Sequence, residues 1–314
     1  MNLTLFLNHR CNLRCTYCYT GKKFHRPMTR AVMDKAIELG LDLADHKFLM
    51  LTFFGGEPLM EPELMEAAVI HARARGEARG VRIFPGVATN GTYLDASRLA
   101  LLNKYEFQVQ LSLDGCPAAQ DATRRYRNGR SSAARVEQNL RTLLREGFDP
   151  RVLAVIDPAN VAHLGPSFDY FMDLGVKRIH YSPNYSGAWD EGACARFEEA
   201  LADLGARYMD RLRRGQDVRL DPLNGKVVTH LNRGYKANQR CMFGVKELTV
   251  APSGRIYPCD RLVAQDDDPA ICIGHVDRGV DEVRRDALLA AKDVPDEECA
   301  ACELRPRCMF WCGC

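Results

Sequence analysis

The chain lacks any long hydrophobic run, any marked net charge and any repeat, and each shortage excludes something. No apolar segment approaches the roughly 20 residues that span a bilayer, so no membrane helix is expected. The N-terminus has no basic-then-apolar stretch, because a strand-like run starts at once, and no secretory signal is read there. A net charge of +2 over 314 residues gives no electrostatic case for nucleic acid or a membrane surface as partner. No internal repeat or low-complexity tract is present. Cysteine, by contrast, is plentiful: thirteen is a high number and an odd one. Without a secretion signal, that usage points to metal ligation in a reducing cytoplasm rather than to a disulfide framework.

A hydrophobic content of 46% suits a globular core, and the length allows a large domain with a smaller appendage. Apolar runs at 3–8, 48–54, 82–89, 106–113, 151–156 and 177–182 read as strands. Amphipathic stretches at 29–46, 61–79, 93–104, 133–147 and 161–174 lie between them, and one more follows at 194–214. In the first, Met33, Ile37, Leu41 and Ala44 recur at helical spacing, although Gly40 costs about 1 kcal/mol against alanine. Alternation of this kind predicts a parallel sheet with helices packed outside, as an open or partial (β/α)6 barrel. Eight of the thirteen cysteines fall after residue 215, which sets an expected boundary between a barrel at 1–215 and a cysteine-rich domain at 216–314.

The first strand runs into Cys11-Asn-Leu-Arg-Cys15-Thr-Tyr-Cys18, three thiols on a loop at the end of a strand where α/β folds keep their chemistry. Three thiolates can converge on one soft metal centre. Tetrahedral zinc and ordinary iron–sulfur clusters take four ligands, so three leave one corner open to a small molecule. The alternative is a zinc knuckle that borrows a distant fourth ligand. The second strand ends in Gly55-Gly56-Glu57-Pro58, which is either a plain turn or a close approach of backbone to ligand. Asn90 closes the third strand, and Ser112 and Asp114 share one face at the end of the fourth. Arg124 opens a basic run to Arg130 that reads as a solvated loop supplying one ligand, with a phosphate site as the other reading.

Taken together, these motifs resemble the signature of the radical S-adenosylmethionine (SAM) superfamily, whose fold is such a partial barrel. The resemblance implies that Cys11, Cys15 and Cys18 hold a [4Fe–4S] cluster whose open iron chelates SAM, with Tyr17 as the accompanying aromatic. An electron passed to the sulfonium then gives a 5′-deoxyadenosyl radical. It further implies that Gly55, Gly56 and Glu57 receive the SAM amino group, and that Asn90 lies in a turn beneath the cofactor. Ser112 and Asp114 would sit at the ribose or carboxylate, and Arg124 would reach the carboxylate. Gln120 stands where the family usually has histidine.

The C-terminal third carries Cys241-x12-Gly254-x4-Cys259, then Cys299-x2-Cys302-x5-Cys308-x3-Cys312 and Cys314. Zinc is the generic reading of close-set cysteine pairs. The array resembles the SPASM extension of radical SAM enzymes, which implies two auxiliary [4Fe–4S] clusters and three clusters in all. By that resemblance Cys241, Cys259 and Cys312 serve the first, and Cys299, Cys302, Cys308 and Cys314 the second. The fourth ligand of the first is either Cys272 or an open position for a substrate thiolate. Asp260 resembles the proposed base of anaerobic sulfatase-maturating enzymes, and can equally cap its turn or pair with Arg261. Cys116 and Cys194 read as ordinary thiols.

The resemblance therefore implies a peptide- or protein-modifying maturase, with thioether formation at cysteine as the first expectation. Formylglycine formation, a small-molecule dehydrogenase and, from another class, a zinc-stabilised binding module are the alternatives. A flavodoxin or ferredoxin would supply electrons. With ten residues before Cys11, a separate leader-binding protein is one expected partner.

Overall fold

The computed structural model describes residues 1–44, 47–235, 241, 243–292, 294 and 297–308. Seven parallel strands form its centre: β1 (Asn2–Phe6), β3 (Phe48–Phe54), β4 (Arg82–Thr89), β5 (Gln108–Ser112), β7 (Arg151–Ile156), β8 (Arg178–Pro183) and β9 (Arg219–Asp221). Two short strands, β2 (Leu13–Cys15) and β6 (Arg124–Tyr126), pair with each other outside that sheet. Helices cross over between the parallel strands: α1 (Arg30–Asp42), α2 (Pro62–Glu77), α3 (Ala96–Lys104), α4 (Pro117–Thr123) with α5 (Ala133–Arg145), α6 (Leu164–Leu174) and α7 (Glu191–Arg213). The six strand–helix units expected from the sequence are present, and among the described residues the sheet stays open at both ends.

Boundaries moved for local reasons. β5 begins two residues later than its apolar run, because Glu106 takes a left-handed turn at φ 57°. α7 starts three residues early, where the Asp190 carboxylate accepts from Ala193 N at 2.7 Å. Gly40 has a packing role: a Cβ there would lie 2.8 Å from Leu3 Cδ2, so its absence lets α1 press onto β1.

Beyond residue 215 the chain stays in the same sheet. After β9 and α8 (Leu223–Leu231), β10 (Glu247–Val250) returns to the other side and pairs in parallel with β1, Leu3 opposite Leu248. Then β11 (Arg255–Tyr257), β12 (Gly274–His275) and β13 (Gly279–Val280) extend that edge antiparallel. The eleven-stranded order is β13-β12-β11-β10-β1-β3-β4-β5-β7-β8-β9. Helices α9 (Glu282–Lys292) and α10 (Glu297–Ala301) follow.

The sheet's two faces differ in covering. The helix-facing side is dry, with Leu3, Leu5, Leu49, Leu51, Phe53 and Val87 in one cluster and Leu111, Val152, Ile179 and Phe168 in a second. Residues alternating with these on β3, β5, β7 and β8 are half-buried, so the opposite, concave face is lined but not filled. Strand C-terminal ends and the cysteine loop stand at the rim of this trough. No helix among the described residues is long and apolar enough to cross a membrane.

Candidate active site

The cysteine loop is held by backbone from three directions. Gly56 N donates to Asn8 O at 2.7 Å and Glu57 N to Arg10 O at 2.9 Å, tying the end of β3 to the stem of the loop. The two glycines make this contact possible. Gly55 has φ +139°, and a Cβ on Gly56 would meet Arg10 O at 2.1 Å. On the far side, β2 pairs antiparallel with β6, setting Cys15 opposite Arg124. Thr16 N adds a bond to Thr123 O.

Each sulfur then meets a side-chain donor from a different part of the fold. Asn90 Nδ2 lies 3.6 Å from Cys11 Sγ, Arg124 Nη1 lies 3.8 Å from Cys15 Sγ, and Lys23 Nζ lies 2.9 Å from Cys18 Sγ. Burial pushes the Cys11 thiol up to about 12, with the nearby Glu57 charge adding to it, and burial raises Cys15 too. Burial also acts on Cys18, but Lys23, with its charge and hydrogen bond, and Thr20 outweigh it and hold that thiol below its ordinary value. A metal centre is what would hold the two buried sulfurs as thiolates at neutral pH. Three sulfurs, each with at least one N–H donor, suit an iron–sulfur cluster, whose potential is set by such bonds.

The expected cofactor residues gather around this loop, and several spend their polar atoms on one another. The Glu57 carboxylate is buried and accepts from Leu59 N at 3.0 Å, Thr89 Oγ1 at 2.6 Å and Asn90 N at 2.7 Å. It locks the ends of β3 and β4 together, which leaves the backbone carbonyls of the glycine turn as the natural acceptors for an ammonium. Asn90 also bonds Asn12 Oδ1 at 3.0 Å. Asp114 accepts from Tyr17 OH, Thr123 Oγ1, Arg124 Nε and Val155 N, joining cysteine loop, α4, β6 and β7. Arg124 lies over the Tyr17 ring at 5.3 Å and is buried, so within the basic run it is the inward residue while Arg125 is exposed. Gln120 is fully buried, accepting from Asp114 N and donating to Ser132 Oγ, and so shapes the loop that carries Arg124. Ser112 faces the trough, and its hydroxyl has no partner among the described residues.

Asp260 approaches the same rim from the C-terminal segment. Tyr19, next to Cys18, donates to Asp260 Oδ2 at 3.1 Å, while Cys259 Sγ donates to Oδ1 at 3.3 Å. The Tyr19 ring stacks on Phe54 at 6.2 Å, with the Arg261 guanidinium on it at 5.3 Å. Ligand atoms of Glu247, Cys259 and Asp260 lie within 4.8 Å of one another. Ile273 N donates to Ile256 O at 2.8 Å and Cys272 packs against the cluster that holds Tyr257, which brings it toward the strand end that precedes Cys259. The Cys272 thiol donates to Gly274 O at 3.1 Å. Gly244 N bonds Pro258 O, which brings the turn after Cys241 to the same place. Cys299, Cys302 and Cys308 follow one another through successive turns near α8, where Lys226 Nζ bonds Arg307 O. Cys312 and Cys314 lie outside the described residues. Cys116 is half-buried and Cys194 exposed, and neither is in a disulfide.

Lys23, Asn12, Thr20, Thr123 and Tyr19 are the site residues that motif spacing missed. Nothing in the sequence separates Lys23 from other surface lysines; Tyr19 stands beside the third cysteine and was legible by adjacency alone.

The Radical SAM superfamily profile matches residues 5–164. The serine-type anaerobic sulfatase-maturating enzyme of Klebsiella aerogenes is 27% identical over 269 residues, which cover 81% of this chain and 64% of that protein. The PqqA peptide cyclase of Gluconobacter oxydans is 26% identical, across 100% of this chain and 85% of its own length. Among solved structures, native anSMEcpe with bound AdoMet superposes with a TM-score of 0.83 at 21% identity, covering 98% of this chain and 88% of that one. Streptococcus suis SuiB bound to S-adenosylmethionine gives 0.65 at 16% identity, covering 98% and 72%. These likenesses show a shared fold. The profile takes in just over half of the sequence, including the three-cysteine loop and the strand ends that hold it, and the chain belongs to the radical SAM superfamily.

Proposed function

We propose that this chain modifies a peptide or protein by radical SAM chemistry, in the cytoplasm, as part of the maturation of a ribosomally made product. The observation that carries this reading is the set of three loop thiols, each with its own N–H donor, at the rim of an open trough. When bound there, cluster and SAM together supply a hydrogen-abstracting radical. Cys11, Cys15 and Cys18 would hold the cluster. The carbonyls of the Gly55–Glu57 turn, the Ser112 hydroxyl and the free Nη2 of Arg124 would hold the SAM head group and ribose. Asp114, Tyr17 and Asn90 keep those groups in place. The half-filled concave face would admit the substrate and limit access of water.

Thioether formation at a substrate cysteine is the preferred reaction. The approach of Cys259, Cys272 and the segment after Cys241 supports a first auxiliary cluster in the C-terminal part, with Cys272 as its fourth protein ligand or a substrate thiolate in that position. Cys299, Cys302, Cys308 and Cys314 would serve the second. A solved structure of SuiB bound to its precursor peptide SuiA, and one of anSMEcpe with a Kp18Cys peptide, share this fold and support a peptide as the substrate class. Formylglycine formation is the second reading, favoured by Asp260, whose carboxylate stands beside the cysteine loop and is aligned by Tyr19. There Asp260 would take the proton of the substrate thiol or hydroxyl. A flavodoxin or ferredoxin would deliver the electron.

Anaerobic reconstitution tests this directly. The protein should take up about twelve irons per chain if three four-iron clusters form. Reduced with SAM, it should release 5′-deoxyadenosine, and Cys15→Ala should release none. Asp260→Asn should keep nucleoside release while peptide product falls at least tenfold if the carboxylate is a base. A loaded, reduced wild-type protein that never releases the nucleoside would overturn the proposal.

A further inference from the structure

On the wall of the trough facing away from the cysteine loop, we infer that Arg151 and His180 form a subsite for a carboxylate carried by the substrate peptide. The inference deepens the peptide reading above and rests on it.

Strand register places both residues in the chamber. Asn90 follows Thr89, which pairs with Leu111, so the next level across the sheet runs Asn90, Ser112, Leu153, His180, Asp221. His180 thus shares a level with Ser112 and with Asn90, the donor to Cys11. One level below run Ala88, Gln110, Arg151, Arg178 and Arg219. On β7 the alternate residues Val152, Ala154 and Ile156 are buried against helices, which turns Arg151 onto the concave face; Ile179 and Tyr181 do the same for His180. From strand spacing and rise, the two Cα atoms stand about 8 Å apart, within reach of one carboxylate for side chains of this length.

Charge on this wall is unbalanced. Arg178 pairs with Asp149 at 3.0 Å and Arg219 with Asp221 at 3.1 Å. Asp260 is occupied by Tyr19 and Cys259. Arg151, half-buried, makes no ion pair or side-chain hydrogen bond with any described residue, and neither ring nitrogen of His180 has a partner among them. Burial lowers the His180 pKa; Asp221 opposes this, and Arg151 and Arg261 reinforce it. An unpaired guanidinium in a half-buried trough is short of an anion, and a carboxylate suits it in a bidentate geometry. Such a ligand would also draw a proton onto His180, adding a second charge-assisted bond.

Two carboxylates are available in the proposed reaction, that of an Asp or Glu of the peptide and that of SAM itself. The test separates them. Cluster-loaded protein with SAM is titrated with fluorescent Ala-rich peptides, each with a central Cys and one Glu walked through the other positions, paired with its Gln analogue. At one or two positions Glu should bind about tenfold tighter than Gln. Arg151→Gln should erase that preference, and Arg151→Glu should shift it to a Lys peptide. His180→Gln should reduce it about threefold, which provides a check independent of the Arg151 variants. SAM affinity and 5′-deoxyadenosine release without peptide should stay within twofold of wild type in all three. Equal binding of Glu and Gln peptides at every position, or loss of SAM affinity in Arg151→Gln with the peptide preference intact, would overturn the inference. A wild-type protein that prefers Glu peptides yet never cleaves SAM would sink the reaction and leave the subsite standing.

Discussion

Glu57 takes three hydrogen bonds into its carboxylate, yet burial still pushes its pKa up to about 6 from an ordinary 4.5. The folded protein therefore holds this proton at a pH where the unfolded chain has released it. The residue's contribution to stability is full below 4.5, falls as pH rises through the window from 4.5 to 6, and is gone above it. The difference amounts to about 2 kcal/mol. Glu57→Gln removes the titration, so whatever the variant loses in hydrogen bonding, its stability relative to wild type should improve by up to about 2 kcal/mol between pH 4.5 and 7. Urea midpoints of the two proteins across that range would read this, and a constant gap would contradict it. Legibility at this scale was uneven. The Gly-Gly-Glu-Pro pattern located Glu57 correctly at a strand end, but the inward turn of its carboxylate depends on Thr89 and Asn90, which meet it only after β3 and β4 pair.

At the scale of elements, Asp114 joins four of them through one side chain: the cysteine loop, α4, β6 and β7. Removing the carboxylate in Asp114→Ala would leave the Arg124 guanidinium buried and unpaired, at a cost of about 3–5 kcal/mol. The loop bearing Cys15 should loosen with it, because β2 is held to β6 next to Arg124. Chemical unfolding should show the stability loss, and iron bound per chain should fall as well. Retention of full iron with a wild-type midpoint would mean that the ladder alone positions the loop. Six long strands and their helices were readable from period because each buries a full face. The strands β9, β12 and β13 run two or three residues, too short for any period, and β2 and β6 exist only because the cysteine loop meets a hairpin some hundred positions away.

For the molecule as a whole, the cysteine-rich part shares a sheet with the barrel. β10 covers the outer edge of β1, and Leu248 and Val250 belong to the same core cluster as Leu3 and Leu5. We propose 1–215 and 216–314 as units of composition. A protein ending near residue 235 should not behave as an independent barrel, since it exposes a flat apolar strand edge open to pairing with other chains. Size-exclusion chromatography should find it aggregated or insoluble, whereas the full chain elutes at its expected size. A well-behaved monomer with a sharp melt would show that the edge needs no cover. The shift in cysteine content at 215 was visible in the sequence, but a parallel pairing between Leu3 and Leu248 leaves no local trace.

That pairing also sets an order of events during synthesis. Translation delivers β1 early, and β3 can join its inner side soon afterwards. Its outer side has to wait until Leu248 has left the ribosome, at about 5–20 residues per second. For that interval a bare hydrophobic ribbon is carried by a chain that already bears the three loop cysteines. Slow codons or early oxygen exposure in that window would harm yield more than the finished protein's stability suggests, and a nascent-chain chaperone would do most for this molecule before its last third is made.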